Sequence, residues 1–154
     1  MMGREKTKER LVINIGIALT AGMFSIMPVA YGAPSGGEFK TSAGGTITTV
    51  GTDMNIAGKA TNNVITWNDF SVKSGETVKF DGGERINNYL NIVTGQNTSQ
   101  INGTIKGGND VYIVNPNGVI MGKGATVDVG NFYASTRYID PAAAKTAADN
   151  GDMS

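Results

Sequence analysis

The stretch Val111-Tyr112-Ile113-Val114-Asn115-Pro116-Asn117-Gly118-Val119 contains a short strand, a tight turn and the first residue of a second strand. In its first half, Val111 and Ile113 share one face of the predicted strand, and the residues after each of them share the other face. In its second half, Pro116 presets φ for a turn, and Gly118 can take a positive φ. The stretch therefore predicts a β architecture of short strands joined by tight turns.

Short apolar stretches of this kind recur through residues 46–135, and each is bounded by Gly, Asn or Asp. No segment of residues 46–136 has helical apolar spacing over three turns, so the pattern predicts an all-β fold. The predicted strands are residues 46–50, 54–57, 64–67, 70–72, 77–80, 89–94, 100–105, 111–115, 119–121, 125–129 and 132–135.

The even spacing of the strands after residue 101 fits either a small β-sandwich or a β-solenoid. The solenoid is favoured because regularly spaced apolar residues would fill one narrow core. At roughly 20 residues per coil, residues 46–136 would make four or five coils. The predicted core residues of the later coils are Ile105, Ile113, Ile120, Val127 and Ala134.

The composition excludes several classes of function. Lys and Arg number 13, Asp and Glu number 13, and the net charge is zero, so a nucleic-acid binder held by phosphate contacts is not expected. The chain has no His and no Cys, which excludes thiol chemistry, zinc sites and Ser-His-Asp triads. We expect no metal ion, no cofactor and no catalytic residue.

The N-terminus has the three regions of a secretory signal peptide. Basic residues precede an apolar run over residues 11–30, and small residues follow it. Residues 1–32 are therefore predicted to be a signal peptide that is cleaved between Gly32 and Ala33. The alternative is a single membrane anchor, because the run is just long enough to span a bilayer. Residues 33–45, rich in Gly and Ser, are predicted to be an extended lead-in.

The order and spacing of six motifs resemble the N-terminal secretion domain of filamentous haemagglutinins. The resemblance covers about residues 44–140 and is closest to the high-molecular-weight adhesin branch of that family. The motifs are Ile65-Thr66-Trp67-Asn68-Asp69-Phe70-Ser71-Val72, Gly75-Glu76-Thr77-Val78-Lys79-Phe80, Leu90-Asn91-Ile92-Val93, Ser99-Gln100-Ile101-Asn102-Gly103, Val111-Tyr112-Ile113-Val114-Asn115-Pro116-Asn117-Gly118-Val119 and Phe132-Tyr133-Ala134-Ser135-Thr136.

The resemblance implies a right-handed parallel β-helix that serves as the export signal of two-partner secretion. A dedicated outer-membrane transporter would bind the domain through its periplasmic domains and release it to the cell surface or the medium. The domain would fold there and nucleate the β-helix of a longer adhesin, whose passenger would contact the host cell. One departure is Ile92, where the family commonly has Arg. Residues 46–140 are thus expected to be the secretion domain, and residues 141–154 an alanine-rich tail of a truncated chain, either a short helix or a frayed end.

Two sets of residues are singled out by the resemblance and by their chemistry. Asn115, Pro116, Asn117 and Gly118 would carry the secretion motif, although the same four residues also suit an ordinary turn. Loss of the Asn115 amide is expected to cost only about 0.5–1.5 kcal/mol, because one hydrogen bond would be removed. The predicted core residues that close the first coils are Trp67, Phe70, Val78 and Phe80.

Two other functions remain as alternatives. One is a small β-helical carbohydrate-active enzyme, for which a carboxylate pair would be needed. The candidate carboxylates lie beside Gly or Asn in predicted turns, where solvated loop side chains are the simpler interpretation. They are Asp69, Glu76, Asp81 and Glu84. The other alternative is a structural domain of the cell envelope without a dedicated partner.

Overall fold

The computed structural model describes residues 33–152, so the predicted signal peptide lies outside the described residues. The described chain forms twelve strands and one helix. They are β1 Glu38–Phe39, β2 Gly45–Val50, β3 Asp53–Gly58, β4 Asn62–Trp67, β5 Thr77–Asp81, β6 Asn88–Val93, β7 Ser99–Ile101, β8 Thr104–Lys106, β9 Asp110–Val114, β10 Val119–Met121, β11 Thr126–Asp128, β12 Asn131–Ser135 and α1 Pro141–Asp149.

The strands wind into a β-solenoid of about four turns, as the strand spacing predicts. Its three sheets have the orders β1-β4-β6-β9-β12, β11-β8-β5-β3-β2 and β10-β7. Strands from successive coils pair in parallel: Asp53 lies beside Thr77, Thr77 beside Thr104, and Thr104 beside Thr126. One coil therefore takes between 22 and 27 residues on this side, more than the expected 20 or so, because the corner loops lengthen it.

An antiparallel cap covers the N-terminal end of the solenoid. β1 pairs antiparallel with β4, and β2 pairs antiparallel with β3, so both strands run against the coil that they cover. The residues before β1 pass over Trp67. A Cβ on Gly37 would lie 2.4 Å from the Trp67 ring, so only glycine fits at this crossing. The cap gives the first coil a neighbour that a solenoid end otherwise lacks.

Two of the five predicted core residues of the later coils are wrong. Ile105 and Ile113 are fully buried, whereas Ile120 is 50% exposed and Ala134 is exposed. Ile120 pairs with Gln100, between the buried Ser99 and Ile101, and this register turns its side chain to the outer face. Ala134 stacks on Ile113 and faces inward, but no later coil covers it among the described residues.

Two predicted strands also differ from the structure. Residues 100–105 form two strands, because the chain turns a corner where the amides of Asn102 and Gly103 both donate to the carbonyl of Val72. Residues 70–72 form only an isolated bridge between Val72 and Ile101. There the Ser71 hydroxyl accepts the Gln100 amide at 3.1 Å in place of a backbone carbonyl, which interrupts the ladder.

A second apolar cluster lies beneath α1, on the outer face of the β1-β4-β6-β9-β12 sheet. Of the two alternatives for the alanine-rich segment, the structure shows the helix. Its N-cap is Asp140, whose side chain accepts the Ala143 amide at 3.0 Å, and Pro141 occupies the first turn. Ala144 and Ala148 face the sheet, where they contact a set of aliphatic side chains from three coils. Those side chains are Val64, Leu90, Ile92 and Val114.

Candidate functional site: the Asn115–Gly118 turn

Asn115 directly follows β9 and lies at the corner of the third coil with no exposed surface. Its side-chain Nδ2 donates to the carbonyl of Asn97 and to Oγ of Ser99, both at 2.9 Å. Its Oδ1 accepts from the backbone amide of Asn117 at 2.9 Å and from Nδ2 of the same residue at 3.1 Å. The buried amide is thus satisfied at both ends by four hydrogen bonds.

The backbone of Asn115 extends this network in both directions along the solenoid. Its amide donates to the carbonyl of Ser135 at 2.9 Å, and its carbonyl accepts the Gly118 amide at 2.9 Å, which closes the turn. Asn97 belongs to the preceding coil and Ser135 to the following one. Asn115 therefore joins three successive coils at one corner.

The other three residues of the turn lie closer to the surface. Pro116 and Asn117 are exposed, while Gly118 is partly buried with φ of +113°, which favours glycine. Asn117 donates from Nδ2 to the Gly95 carbonyl at 2.9 Å and accepts at its own carbonyl from Thr98 Oγ1 at 3.0 Å. Only Pro116 and Asn117 can offer side chains to a partner of the folded domain.

These contacts correct the expected cost of losing the Asn115 amide. The sequence suggests one hydrogen bond, but the structure shows four, and an alanine would leave several buried groups without partners. Each buried group left unsatisfied costs about 1–3 kcal/mol. Asn115 is therefore a structural residue of the folded solenoid.

An open cavity of about 450 Å³ lies beside the turn. One wall is made by the turn and by the corner that precedes it, and the other by the segment leading into α1. None of its lining side chains is charged. The lining residues are Ile92, Val93, Thr94, Gly95, Gln96, Pro116, Asn117, Tyr138, Ile139 and Pro141.

The predicted core residues Trp67, Phe70, Val78 and Phe80 all lie inside the first two coils, each no more than 1% exposed. Trp67 meets Phe70 edge-on with ring centroids 5.3 Å apart, and Phe70 stacks on Phe80 at 6.4 Å. The indole Nε1 of Trp67 donates to Oδ1 of Asn91 at 2.9 Å. With their rings packed on one another and the indole nitrogen satisfied, these side chains form core and present no ligand-binding face.

Tyr89 completes this aromatic column, and sequence analysis missed it. Its ring lies 5.0 Å from that of Phe80, and its hydroxyl donates to the Asp81 carbonyl and accepts the Gly58 amide at 2.8 Å. Burial raises the pKa of the Tyr89 hydroxyl, so the group stays protonated and keeps donating. Its place at the start of an apolar strand identifies Tyr89 as a core candidate, but its hydroxyl partners cannot be found from sequence.

Buried asparagines are a second feature that sequence analysis missed, and they place Asn115 in context. Asn63, Asn91 and Asn109 are also buried, and each uses its amide to bind backbone at a different point of the solenoid. Asn109, for example, donates to the Phe80 carbonyl at 2.7 Å and accepts the Asn87 amide at 2.9 Å. Asn115 is thus one of several buried asparagines whose side chains bind backbone groups of the solenoid. It differs from the others in accepting two further hydrogen bonds from Asn117.

The four candidate carboxylates do not form a site. Asp69 accepts from Asn97 Nδ2 at 3.2 Å, Glu76 accepts the Lys73 amide at 3.0 Å, and Asp81 lies 3.8 Å from the Lys79 ammonium. Within residues 33–152, no three acidic side chains come together as a metal site would need. The same described residues include no helix with the length and apolarity to cross a membrane.

Comparison with known proteins gives the family and the fold of the chain. A family model described as the TPS secretion domain matches residues 30–151. Two curated heme/hemopexin-binding proteins of Haemophilus influenzae are similar: one is 34% identical over 94 residues and the other 36% identical over 76. The matches cover 61% and 49% of this chain but only 10% and 8% of those proteins. The chain thus spans about a tenth of the length of these relatives.

A solved structure matches the fold over most of the described chain. The crystal structure of the HMW1 secretion domain from Haemophilus influenzae superposes with a TM-score of 0.68 and 26% identity. The match covers 74% of this chain and 30% of that one. Its fold is thus shared over the greater part of the solenoid described above.

Proposed function

Because the chain belongs to the TPS secretion domain family, we propose that it is the secretion-targeting domain of an exported bacterial adhesin or related surface protein. An outer-membrane transporter of the two-partner secretion type recognises it, and the domain nucleates β-helix folding at the cell surface. The observation that carries this proposal is the family match over residues 30–151, which includes the whole solenoid, the Asn115–Gly118 turn and α1.

The turn contributes to export in two separable ways. Asn115 stabilises the finished coil, since its amide is buried and fully bonded and so is not available to a partner of the folded domain. Pro116 and Asn117 remain exposed and can contact the transporter. In a chain that has not yet folded, all four residues are available to it. This division supports a motif that the transporter binds first, in the unfolded chain, and that stabilises the coil after folding.

The remaining parts of the proposal follow from the N-terminal sequence and from the general rules of strand connection. Residues 1–32 act as a signal peptide for the inner-membrane step and are removed before Ala33. The coils wind in the right-handed sense that parallel strand connections favour. The domain acts in targeting and not in catalysis, as the family to which it belongs implies. Contact with a host cell belongs to a passenger rather than to this domain.

A secretion assay with the cognate transporter tests the proposal. Asn115→Ala, Asn117→Ala and a control variant, Asn131→Ala, are expressed with and without the transporter, and the medium and periplasm are compared. Asn131 is a suitable control because it is exposed and makes one side-chain bond, to Asp110 at 3.0 Å. We expect the parent and Asn131→Ala to reach the medium only when the transporter is present.

The two variants of the turn then separate its roles. Asn117→Ala should still fold when purified, with a modest loss of stability from its bonds to Gly95 and Asn115. It should leave more protein in the periplasm, because it removes an exposed contact. Asn115→Ala should lose both folding stability and release. Transporter-independent release of the parent would contradict the proposal as a whole. Normal release of both variants of the turn would place the recognition signal elsewhere in the domain.

A further inference from the structure

Helix α1 is too short to be stable without its docking surface. It has nine residues, whereas isolated helices shorter than about 12–15 residues are marginal in water. Apart from the Asp140 N-cap, its first turn has no acidic residue and its last turn no basic one, so few charges favour the helix dipole. The helix therefore depends on its contacts with the solenoid.

The surface beneath α1 exists only after several coils have stacked. Val64 comes from β4, Leu90 and Ile92 from β6, and Val114 from β9, so the patch draws on three successive coils. The helix packs chiefly against β4, and Ala144 and Ala148 belong to one apolar cluster with side chains of β4, β6 and β9. The complete docking surface is thus present only when these three strands lie in register.

A polar clasp joins the end of α1 to the N-terminal cap. The Asp149 carboxylate accepts the Ser42 amide at 2.9 Å and the Ser42 hydroxyl at 2.7 Å. Lys145 donates to the same carboxylate at 2.6 Å and to Ser42 Oγ at 3.1 Å. The clasp connects two residues that are 107 positions apart in the chain. It can form only when the segment before β2 and the helix are both in place.

We propose that α1 is a folding latch, which docks after the coils have stacked and is locked to the N-terminal cap by the Ser42–Asp149–Lys145 clasp. Docking also sets Tyr138 and Ile139 opposite Pro116 and Asn117 across the cavity beside the turn. The latch thus completes the surroundings of the turn only in the finished domain. A role of the latch in export rests on the proposed function. There, the docked helix would keep the domain folded after its release.

Hydrogen exchange on the purified domain tests the latch without any transporter. The variant Asp149→Asn removes the charge that Lys145 and Ser42 bind, and Asp128→Asn, at an exposed carboxylate on β11, is the matched control. We expect amide exchange in residues 141–149 and at Ser42 to become roughly tenfold faster in Asp149→Asn, because charge-assisted bonds are lost. Exchange in β4, β6 and β9 should remain slow, and the control should match the parent.

Two outcomes would overturn the latch. One is unchanged exchange of residues 141–149 and Ser42 in Asp149→Asn. The other is equal loss of protection in α1 and in the central strands, which would make the helix part of a single folding unit.

A second variant, Ala148→Asp, places a charge in the docking contact and should release the helix and the Ser42 amide together. If it releases the helix while Ser42 stays protected, the coupling between cap and helix is absent.

A parallel secretion assay keeps the two proposals distinct. With the cognate transporter, Asp149→Asn should reach the medium, and its residues 141–152 should be cut by added protease sooner than those of Asp128→Asn. Equal protease sensitivity of the two variants in the medium would count against the latch. Failure of the parent to depend on the transporter would contradict the proposed function, whereas the exchange experiment would still decide the latch.

Discussion

The second and third coils have the same inward alternation of side chains as the fourth coil but are buried far more completely. Val78 of β5, Ile105 of β8 and Val127 of β11 stack directly on one another in the same sheet. Val78 and Ile105 are no more than 1% exposed, whereas Val127 is only partly buried. β8 and β11 are both three residues long and each turns one apolar residue inward, so the difference between Ile105 and Val127 comes from their neighbours. In a solenoid, burial is a property of the coils on either side rather than of the strand itself.

The largest expected effect comes from placing a charge at equivalent positions of the two regions. Ile105→Asp should prevent folding, because an unpaired carboxylate would lie between two coils at a cost of several kcal/mol. Val127→Asp should lower the free energy of unfolding by less than half as much, since water reaches the last coil. Urea unfolding followed by far-UV circular dichroism measures both. Thr126→Asp, which faces outward, is the control, and equal effects at 105 and 127 would contradict the comparison.

Buried and exposed asparagines give the next contrast. Asn115→Ala should lower the free energy of unfolding by about 3 kcal/mol, because several buried partners lose their hydrogen bonds. Asn131→Ala, in the last coil, should change the same quantity by less than about 0.5 kcal/mol. Thermal and urea unfolding of both purified variants provide the measurement. A loss below 1 kcal/mol at Asn115 would mean that water replaces the amide at that corner.

A smaller effect is expected from removing one polar atom from an aromatic side chain. Trp67→Phe takes away the donor to Asn91 Oδ1 and some core volume, and should cost about 2–3 kcal/mol. Tyr133→Phe in the last coil keeps the stacked ring, which lies 4.7 Å from that of Tyr112, and should change stability by less than about 0.5 kcal/mol. Unfolding midpoints compare the two, and a larger loss for Tyr133→Phe would reverse the contrast.

The smallest effect concerns pH and the clasp of α1. The Lys145 ammonium and the Ser42 donors lower the pKa of Asp149 from 3.8 to about 2. Because the pKa is lower in the folded state, the contribution of the clasp is complete above about pH 4 and is lost as the pH falls through about 2. Carboxyl carbon chemical shifts of Asp149 should follow this titration. Ser42→Ala removes the hydroxyl donor but keeps the backbone amide of residue 42, so the midpoint should move part of the way toward 3.8. An unmoved midpoint would assign the shift to Lys145 and that backbone amide.

Local sequence patterns predicted the strands and the inner faces of the central coils well. The strand of residues 111–115 and its turn were found because alternation, proline and glycine are short-range signals. Ile120 was placed wrongly because its neighbours Val119 and Met121 are also apolar, so the pattern does not show which face is inward. Pairing with Gln100 decides that face, and register between coils is a long-range property.

The turn at Asn115 was predicted in position, but the contacts of the Asn115 side chain were not. Asn115 was identified as part of a turn, yet its bonds to Asn97 and Ser99 join residues 18 and 16 positions apart. The docking of α1 was missed for the same reason, since Ala144 and Ala148 carry little apolar surface in the sequence. Both features depend on which coil corners stack, and that information appears only after the solenoid has been assembled.

The buried asparagines also have a consequence for errors in winding. If β9 slipped by one residue along β6, the Asn115 amide would leave both the Asn97 carbonyl and the Ser99 hydroxyl, and an outward-facing residue would turn into the core. A misaligned coil would thus leave the buried Asn115 amide without these partners, whereas the aligned coil supplies both of them. The buried asparagines at the corners of the solenoid therefore favour one register, and each new coil is aligned on the coil before it.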